Sequence, residues 1–214
     1  LAPRLKALHV RDSKTITSDR VAEQLAREIE KVLEGRWVVV NVGPRAYNRL
    51  YAKIRNVNRL LAWGHARAIE DLLGRVPSCP RALSDQFGPT QQIERALMAK
   101  GRGIKLEQRP KAESDIAVAA ASILARAGFL RALREIGNKL GSPAPKGASP
   151  QVRAAAEEAI RRHGPGILLD VAKCHFKTAD EVLAACGHTR ADLGPEGQAI
   201  SRAHRPKREE GSES

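Results

Sequence analysis

The chain has 214 residues, 42% of them hydrophobic, enough for a domain with a sizeable core. Only 3% are aromatic, which excludes a stacking platform for single-stranded nucleic acid, since that needs several exposed rings. Lysine and arginine outnumber aspartate and glutamate 37 to 24, giving +13 and a pI near 10.2, a balance that fits a polyanionic partner, most simply nucleic acid.

Ser18 is placed to cap a helix, and Val21, Leu25, Ile29 and Val32 follow at helical spacing up to Gly35. The run from Trp37 to Val42 is continuously apolar and rich in β-branched residues, which predicts a buried strand ended by Pro44. A second helical pattern carries Leu50, Ile54, Val57, Leu61, Ala68 and Leu72 and stops at Gly74. It reads as one helix, or as two divided at Asn56-Val57-Asn58.

Pro77 and Pro80 mark a loop. A short strand follows over 81–87, with Asp85 at its end. Pro89 opens a helix carrying Ile93 and Leu97 and stopping at Gly101, and 104–109 alternates as a strand. A long helix is predicted over about 114–138, with Ala117 to Ala121 suited to close packing. After a Pro/Gly/Ser loop over 141–150 comes a helix over 151–163. Thr178-Ala179-Asp180-Glu181 reads as a capping box opening a short helix up to Gly187.

Alternating strands and helices predict an α/β fold, a sheet covered by helices, in a single domain over 1–186. Residues 187–214 are polar, contain Gly and Pro, lack periodicity, and are expected to be a disordered tail. No internal repeat is found. Three strands are few for so many helices, and the chain opens at Leu1 on what reads as mid-domain sequence, so an upstream segment carrying further strands is expected.

The charge is uneven. From Arg36 to Ile69 there are seven basic residues and no acid, whereas over 187–214 five bases and five acids cancel. Cys79, Cys174 and Cys186 lack CxxC spacing, and the adjacent Cys174-His175 suits neither a zinc finger nor a redox pair; free thiols in a reducing cytosol are expected. No apolar run approaches the roughly 18 residues of a membrane span, and no signal peptide is seen.

Within this basic chain, Asp85 ends one predicted strand and Glu113 closely follows another. Isolated acids on such a surface repel nucleic acid unless a divalent metal sits between them. The pattern therefore points to metal-dependent phosphodiester chemistry, which needs converging carboxylate oxygens. The commoner role of an aspartate at a strand end is to make a turn or cap a helix. Asp115 is an alternative to Glu113 where the local backbone is extended.

Seven segments occur in an order that resembles the type 2 ribonuclease H family, specifically its ribonuclease HIII branch. They are Arg11-Asp12-Ser13-Lys14, Tyr47-Asn48-Arg49-Leu50-Tyr51, 58–66 (Asn58 to Ala66), Asp85-Gln86-Phe87, 111–126, Pro145-Lys146-Gly147-Ala148-Ser149 and Ala172-Lys173-Cys174-His175-Phe176-Lys177. The resemblance spans roughly residues 8–183. It implies a ribonuclease H-like mixed sheet flanked by helices, lacking its first strands, with a C-terminal helical part. It also implies a monomeric, cytoplasmic endonuclease that uses Mg2+ or Mn2+. Such an enzyme cuts the RNA strand of an RNA/DNA hybrid, leaving a 3′-hydroxyl and a 5′-phosphate.

On the same resemblance, Asp85 and Glu113 match metal-binding and catalytic acids, and Ser13, Lys14 and Lys111 match positions near the substrate backbone. The segments around Tyr47 and Trp63 read as core signatures, and His65 and His175 as packed, hydrogen-bonded histidines. The family's first motif, Asp-Glu-x-Gly-x-Gly, has no match, nor does the substrate-binding domain that usually precedes the nuclease domain in this branch. The chain alone is therefore expected to be weakly active or inactive. The competing readings are a non-catalytic hybrid-binding module that has lost its metal site and a generic basic RNA-binding protein.

Overall fold

Helices account for most of the chain. The computed structural model describes residues 1–10 and 16–201. Ser13, Lys14 and the last part of the expected tail lie outside the described residues. In chain order the elements are α1 (Ala2–Ala7), α2 (Asp19–Leu33), α3 (Pro44–Ile54), α4 (Val57–Arg75), β1 (Arg81–Asp85), α5 (Gln91–Ala96), β2 (Lys105–Arg109), α6 (Ile116–Leu140), α7 (Pro150–His163), α8 (Leu168–Val171) and α9 (Lys177–Ala185). They fall into two compact units, one of Leu1–Asn41 with Val57–Glu135, the other of Val42–Asn56 with 136–201.

In the first unit, Ser18 caps α2, its Oγ accepting from Val21 N–H at 3.5 Å, and Glu34 ends that helix in the left-handed region. The apolar stripe of α2 (Ala22, Ala26, Ile29) is buried with Ala119, Ala120, Ile123, Leu124 and Ala127 of α6. Ala119 and Ala120, from the Ala-rich start of α6, are thus buried in this core. Charge reinforces the contact: Arg126 of α6 donates to Asp19 at 2.9 Å and to the Ile16 carbonyl at 2.6 Å, and Arg134 reaches Glu23 at 2.6 Å. By length and composition α6 could cross a bilayer. Its Ala119–Ala127 face lies in this core and Arg126 is paired there, so it is a core helix.

A second cluster joins Ala62 and Ala66 of α4 to Ile93 and Leu97, with Phe87 and Leu106 against it. It covers the sheet, which has two parallel strands running in register from Arg81↔Lys105 to Asp85↔Arg109. A parallel pair needs a crossover, and α5 with the 3-10 turn Gly101–Gly103 supplies it.

The α/β class stands, with a sheet that is small and parallel. Two local expectations change and one left open is settled. The run from Trp37 to Val42 forms no strand. Trp37 and Val39 pack on the α2–α6 core, and the Trp37 carbonyl accepts from Arg75 Nη1 at 2.6 Å. A β-branched run becomes a strand only where a neighbour supplies ladder bonds, and among the described residues none does. The helical pattern across Asn56 is two helices, because Arg55 turns left-handed at the end of α3. The helix expected from Pro89 to Gly101 is cut short at Ala96, where Leu97 takes an extended ψ.

The second unit is helical. Its core joins Ile160 of α7, Leu168 and Leu169 of α8, and Ala179, Val182 and Leu183 of α9. Asn48 of α3 is 2% exposed and acts as a polar bolt. Its Nδ2 donates to the carbonyls of Leu169 at 3.2 Å and Ala172 at 2.9 Å, and its Oδ1 accepts from Cys174 N–H at 3.0 Å. Burial pushes the Cys174 thiol up to about 11.

Thr178 does not cap α9. The helix starts one residue earlier, at Lys177, with Phe176 as its N-cap. The capping box lies instead at Thr189, paired with Asp192, over a 3-10 turn Arg190–Leu193. Residues 187–201 are accordingly folded rather than disordered. Leu193 is buried, the Arg190 guanidinium bonds Asp180 and the Gly197 carbonyl, and Ser201 N–H donates to the His175 carbonyl at 3.0 Å. The absence of periodicity in this stretch reflects a single short turn held by side-chain bonds.

Replacing Asn48 by alanine orphans three backbone groups that it now satisfies. Asn48→Ala should lower unfolding free energy by about 2–4 kcal/mol in urea denaturation. Asn48→Asp, which loses the donors and buries a charge, should be no milder.

Candidate active site

The site lies at the C-terminal end of β1. Gln86 N–H donates to the Arg109 carbonyl at 3.2 Å, one step beyond the last paired residues, so Asp85 is held firmly at the strand end. After β2 the chain must reverse sharply. Lys111 makes that bend with φ 53° and ψ 39°, a left-handed conformation that costs a non-glycine residue about 1–2 kcal/mol. The bend leads into the 3-10 turn Ala112–Ser114. Ala112 is fully buried, and its N–H donates to Asp85 Oδ1 at 3.1 Å.

That bond ties the end of β1 to the turn that carries Glu113, 28 positions on. The Asp85 carboxylate is fastened to the residue immediately before Glu113. Both side chains are half-buried, and Lys111 is exposed. Asp115, the alternative ligand, does have extended backbone, with ψ 132°, but its carboxylate is engaged as a helix cap. Its Oδ1 accepts from Ala117 N–H at 2.8 Å, and Arg109 lies 3.7 Å from its other oxygen.

Behind Asp85 sits a polar contact from α4. The buried Ser84 Oγ lies 3.0 Å from His65 Nδ1 and donates to the Asp85 carbonyl at 3.0 Å. Burial pushes the His65 pKa below its usual value, opposed in part by the Asp85 charge. The His65 ring rests 4.9 Å from that of Phe87. His65 is thus the packed, hydrogen-bonded residue that its helical position suggests. The role of the Ala112 amide was not foreseeable, because a backbone donor leaves no residue-type signal.

Carboxylate oxygens are hard donors and suit Mg2+ or Mn2+ rather than soft metals. With Asp85 Oδ1 engaged by Ala112, Oδ2 and the Glu113 carboxylate are the groups that would hold the ion. Among the described residues no group of three or more His, Cys, Asp and Glu side chains converges. The residues present therefore fit part of a divalent-metal site.

The second unit carries a separate aromatic and basic cluster. His175, 2% exposed, stacks between Tyr51 at 4.1 Å and Phe176 at 4.0 Å, while Lys173 Nζ sits 4.8 Å over the Tyr47 ring. Tyr47 is core, as its segment suggests, and Phe176 leaves an exposed ring edge.

Comparison with known proteins places these features in context. The Ribonuclease HII family profile matches residues 2–179. Ribonuclease HIII of Protochlamydia amoebophila is 40% identical over 184 residues, covering 86% of this chain and 60% of that protein. Ribonuclease HIII of Chlamydia pneumoniae is 38% identical over 174 residues, covering 81% and 57%. Among solved structures, Bst-RNase HIII in complex with Mn2+ superposes with a TM-score of 0.75 at 29% identity, covering 86% of this chain and 60% of that one. The chain thus spans about 60% of the length of the relatives it matches. On the extent of the profile match and the order of the shared segments, this chain belongs to the ribonuclease HII family.

Proposed function

We propose that this chain contributes the Asp85–Glu113 half of a ribonuclease HIII-type active site, which hydrolyses the RNA strand of RNA/DNA hybrids. The observation that carries the reading is the Ala112 N–H bond to Asp85, which ties that acid to the turn carrying Glu113 in a strongly basic protein. An acid pair beside phosphates is costly unless a cation shares it. Magnesium or manganese, when bound, would activate a water and stabilise the leaving oxygen.

This chain's own residues do the positioning. Asp85 Oδ2 and Glu113 would hold the ion, and the Lys111 ammonium would face a backbone phosphate. Water adds to phosphorus, the bond to the 3′ oxygen breaks, and that oxygen leaves protonated, giving 3′-hydroxyl and 5′-phosphate ends. Ser13 and Lys14 join the substrate contacts on resemblance alone. We place the protein in a reducing cytoplasm as a monomer; the free thiols of Cys79, Cys174 and Cys186 support the compartment.

The 214-residue chain by itself is proposed to bind hybrids and to cut them weakly or not at all, because among the described residues no group of three or more metal-ligating side chains converges, as a two-metal site needs. This also keeps the second reading alive, a hybrid-binding module without catalysis. One titration addresses both. With a uniform RNA/DNA hybrid, Mg2+ should strengthen binding to this chain without appreciable cleavage. Asp85→Asn should bind about fivefold more tightly than wild type in EDTA, since roughly 1 kcal/mol of like-charge repulsion is removed, and should lose the Mg2+ enhancement. Equal affinities of wild type and Asp85→Asn under both conditions would contradict the metal-site reading, and brisk Mg2+-dependent cleavage would contradict the inactivity of the isolated chain.

Lys111 separates side chain from backbone. Lys111→Ala should weaken hybrid binding irrespective of sequence and reduce the slope of log K against log salt by about 0.9. Lys111→Gly should show the same binding loss while gaining up to about 1 kcal/mol of stability from relief of the left-handed conformation. Salt titration and urea denaturation of the two variants read these effects.

A further inference from the structure

We infer that His65 and Ser84 form a relay that positions Asp85: His65 Nδ1–H donates to Ser84 Oγ, and Ser84 Oγ–H donates to the Asp85 carbonyl. This deepens the proposed function, because it rests on reading Asp85 as a metal-binding carboxylate. His65 and Ser84 are positioning residues and touch no reacting atom.

The direction of the bonds follows from proton counting. A serine hydroxyl carries one proton. That proton is committed to the Asp85 carbonyl at 3.0 Å, so the 3.0 Å contact with His65 has Oγ as the acceptor and Nδ1–H as the donor. On this count we assign the ring the Nδ1–H form. The phenyl ring of Phe87 beside it restricts its rotation.

The effect falls on one peptide unit. The peptide joining Asp85 to Gln86 is gripped on its carbonyl by Ser84 and on its N–H by the Arg109 carbonyl at 3.2 Å. In this parallel register the Asp85 carbonyl faces away from β2, among the described residues no strand pairs with it, and the hydroxyl takes that place. With the peptide locked, the Asp85 Cα–Cβ direction is set. Oδ1 then meets the Ala112 amide at 3.1 Å, which ties the carboxylate to the turn that carries Glu113. Helix α4 thus supports the site from behind, as partners of metal ligands commonly do.

The test uses the 214-residue chain with Mn2+ alone as the probe and backbone-amide NMR as the readout. His65→Leu and Ser84→Ala each break the relay. His65→Asn keeps a donor nitrogen near the Nδ1 position, whereas His65→Gln carries it too far along the side chain. In the two relay-breaking variants, exchange of the Ala112 amide should quicken about tenfold and the Mn2+ dissociation constant should rise about tenfold. His65→Asn should restore both readouts and His65→Gln neither. A role confined to filling space predicts the reverse order, since leucine fills the site better than asparagine.

The inference is overturned where Ala112 exchange is unchanged in both relay-breaking variants, or where His65→Asn fares as badly as His65→Leu. Should His65→Leu fail to fold, Ser84→Ala decides the matter with the loss of a single oxygen. Where wild type takes up no Mn2+ at Asp85, the metal reading falls, and Ala112 exchange still decides whether the relay positions the carboxylate.

Discussion

The hydrogen bond from Ala112 N–H to Asp85 Oδ1 is the constraint on which the candidate site depends. It needs three features at once: β1 and β2 in parallel register, a left-handed Lys111, and a 3-10 turn ahead of α6. Each is imposed by something stronger than the bond itself. The register follows from burying the sheet under α4 and α5, and the turn follows from burying Ala112 completely. The site therefore inherits its geometry from the core, which is the arrangement that holds charged groups in place without help from a ligand.

Much of this was legible in the residues. The 3.6-residue spacing of Val21, Leu25 and Ile29 gave α2, and the alternation over 104–109 gave β2 within one residue. Asp85 and Glu113 stood out because isolated acids on a basic surface repel nucleic acid unless a divalent metal sits between them. What failed to show shares one cause, dependence on partners distant in sequence. The run from Trp37 to Val42 has the composition of a strand and, among the described residues, no neighbour to pair with. Residues 187–201 lack periodicity yet fold, because the Arg190 guanidinium and Leu193 find partners in α9 and its surroundings. Thr178 looked like a cap and Thr189 did not, since local pattern cannot tell which of two short turns starts a helix.

The polar interior follows one rule in both units. Asn48 satisfies three backbone groups in the second unit, and Ser84 with His65 satisfies the end of β1 in the first. Buried polar groups are tolerated where every lone pair and proton is matched, and such matched groups fix conformation more sharply than apolar packing does. The basic surface performs the opposite task. Its lysines and arginines are largely exposed and screened, so they attract a polyanion over distance and contribute little to stability.

The most direct test of the metal-site reading is anomalous diffraction from crystals of this chain equilibrated with Mn2+. An anomalous peak bound by the carboxylates of Asp85 and Glu113, with Asp85 Oδ1 still on the Ala112 amide, is the predicted result. A peak held by other acids, with Asp85 and Glu113 left unbound, would contradict it.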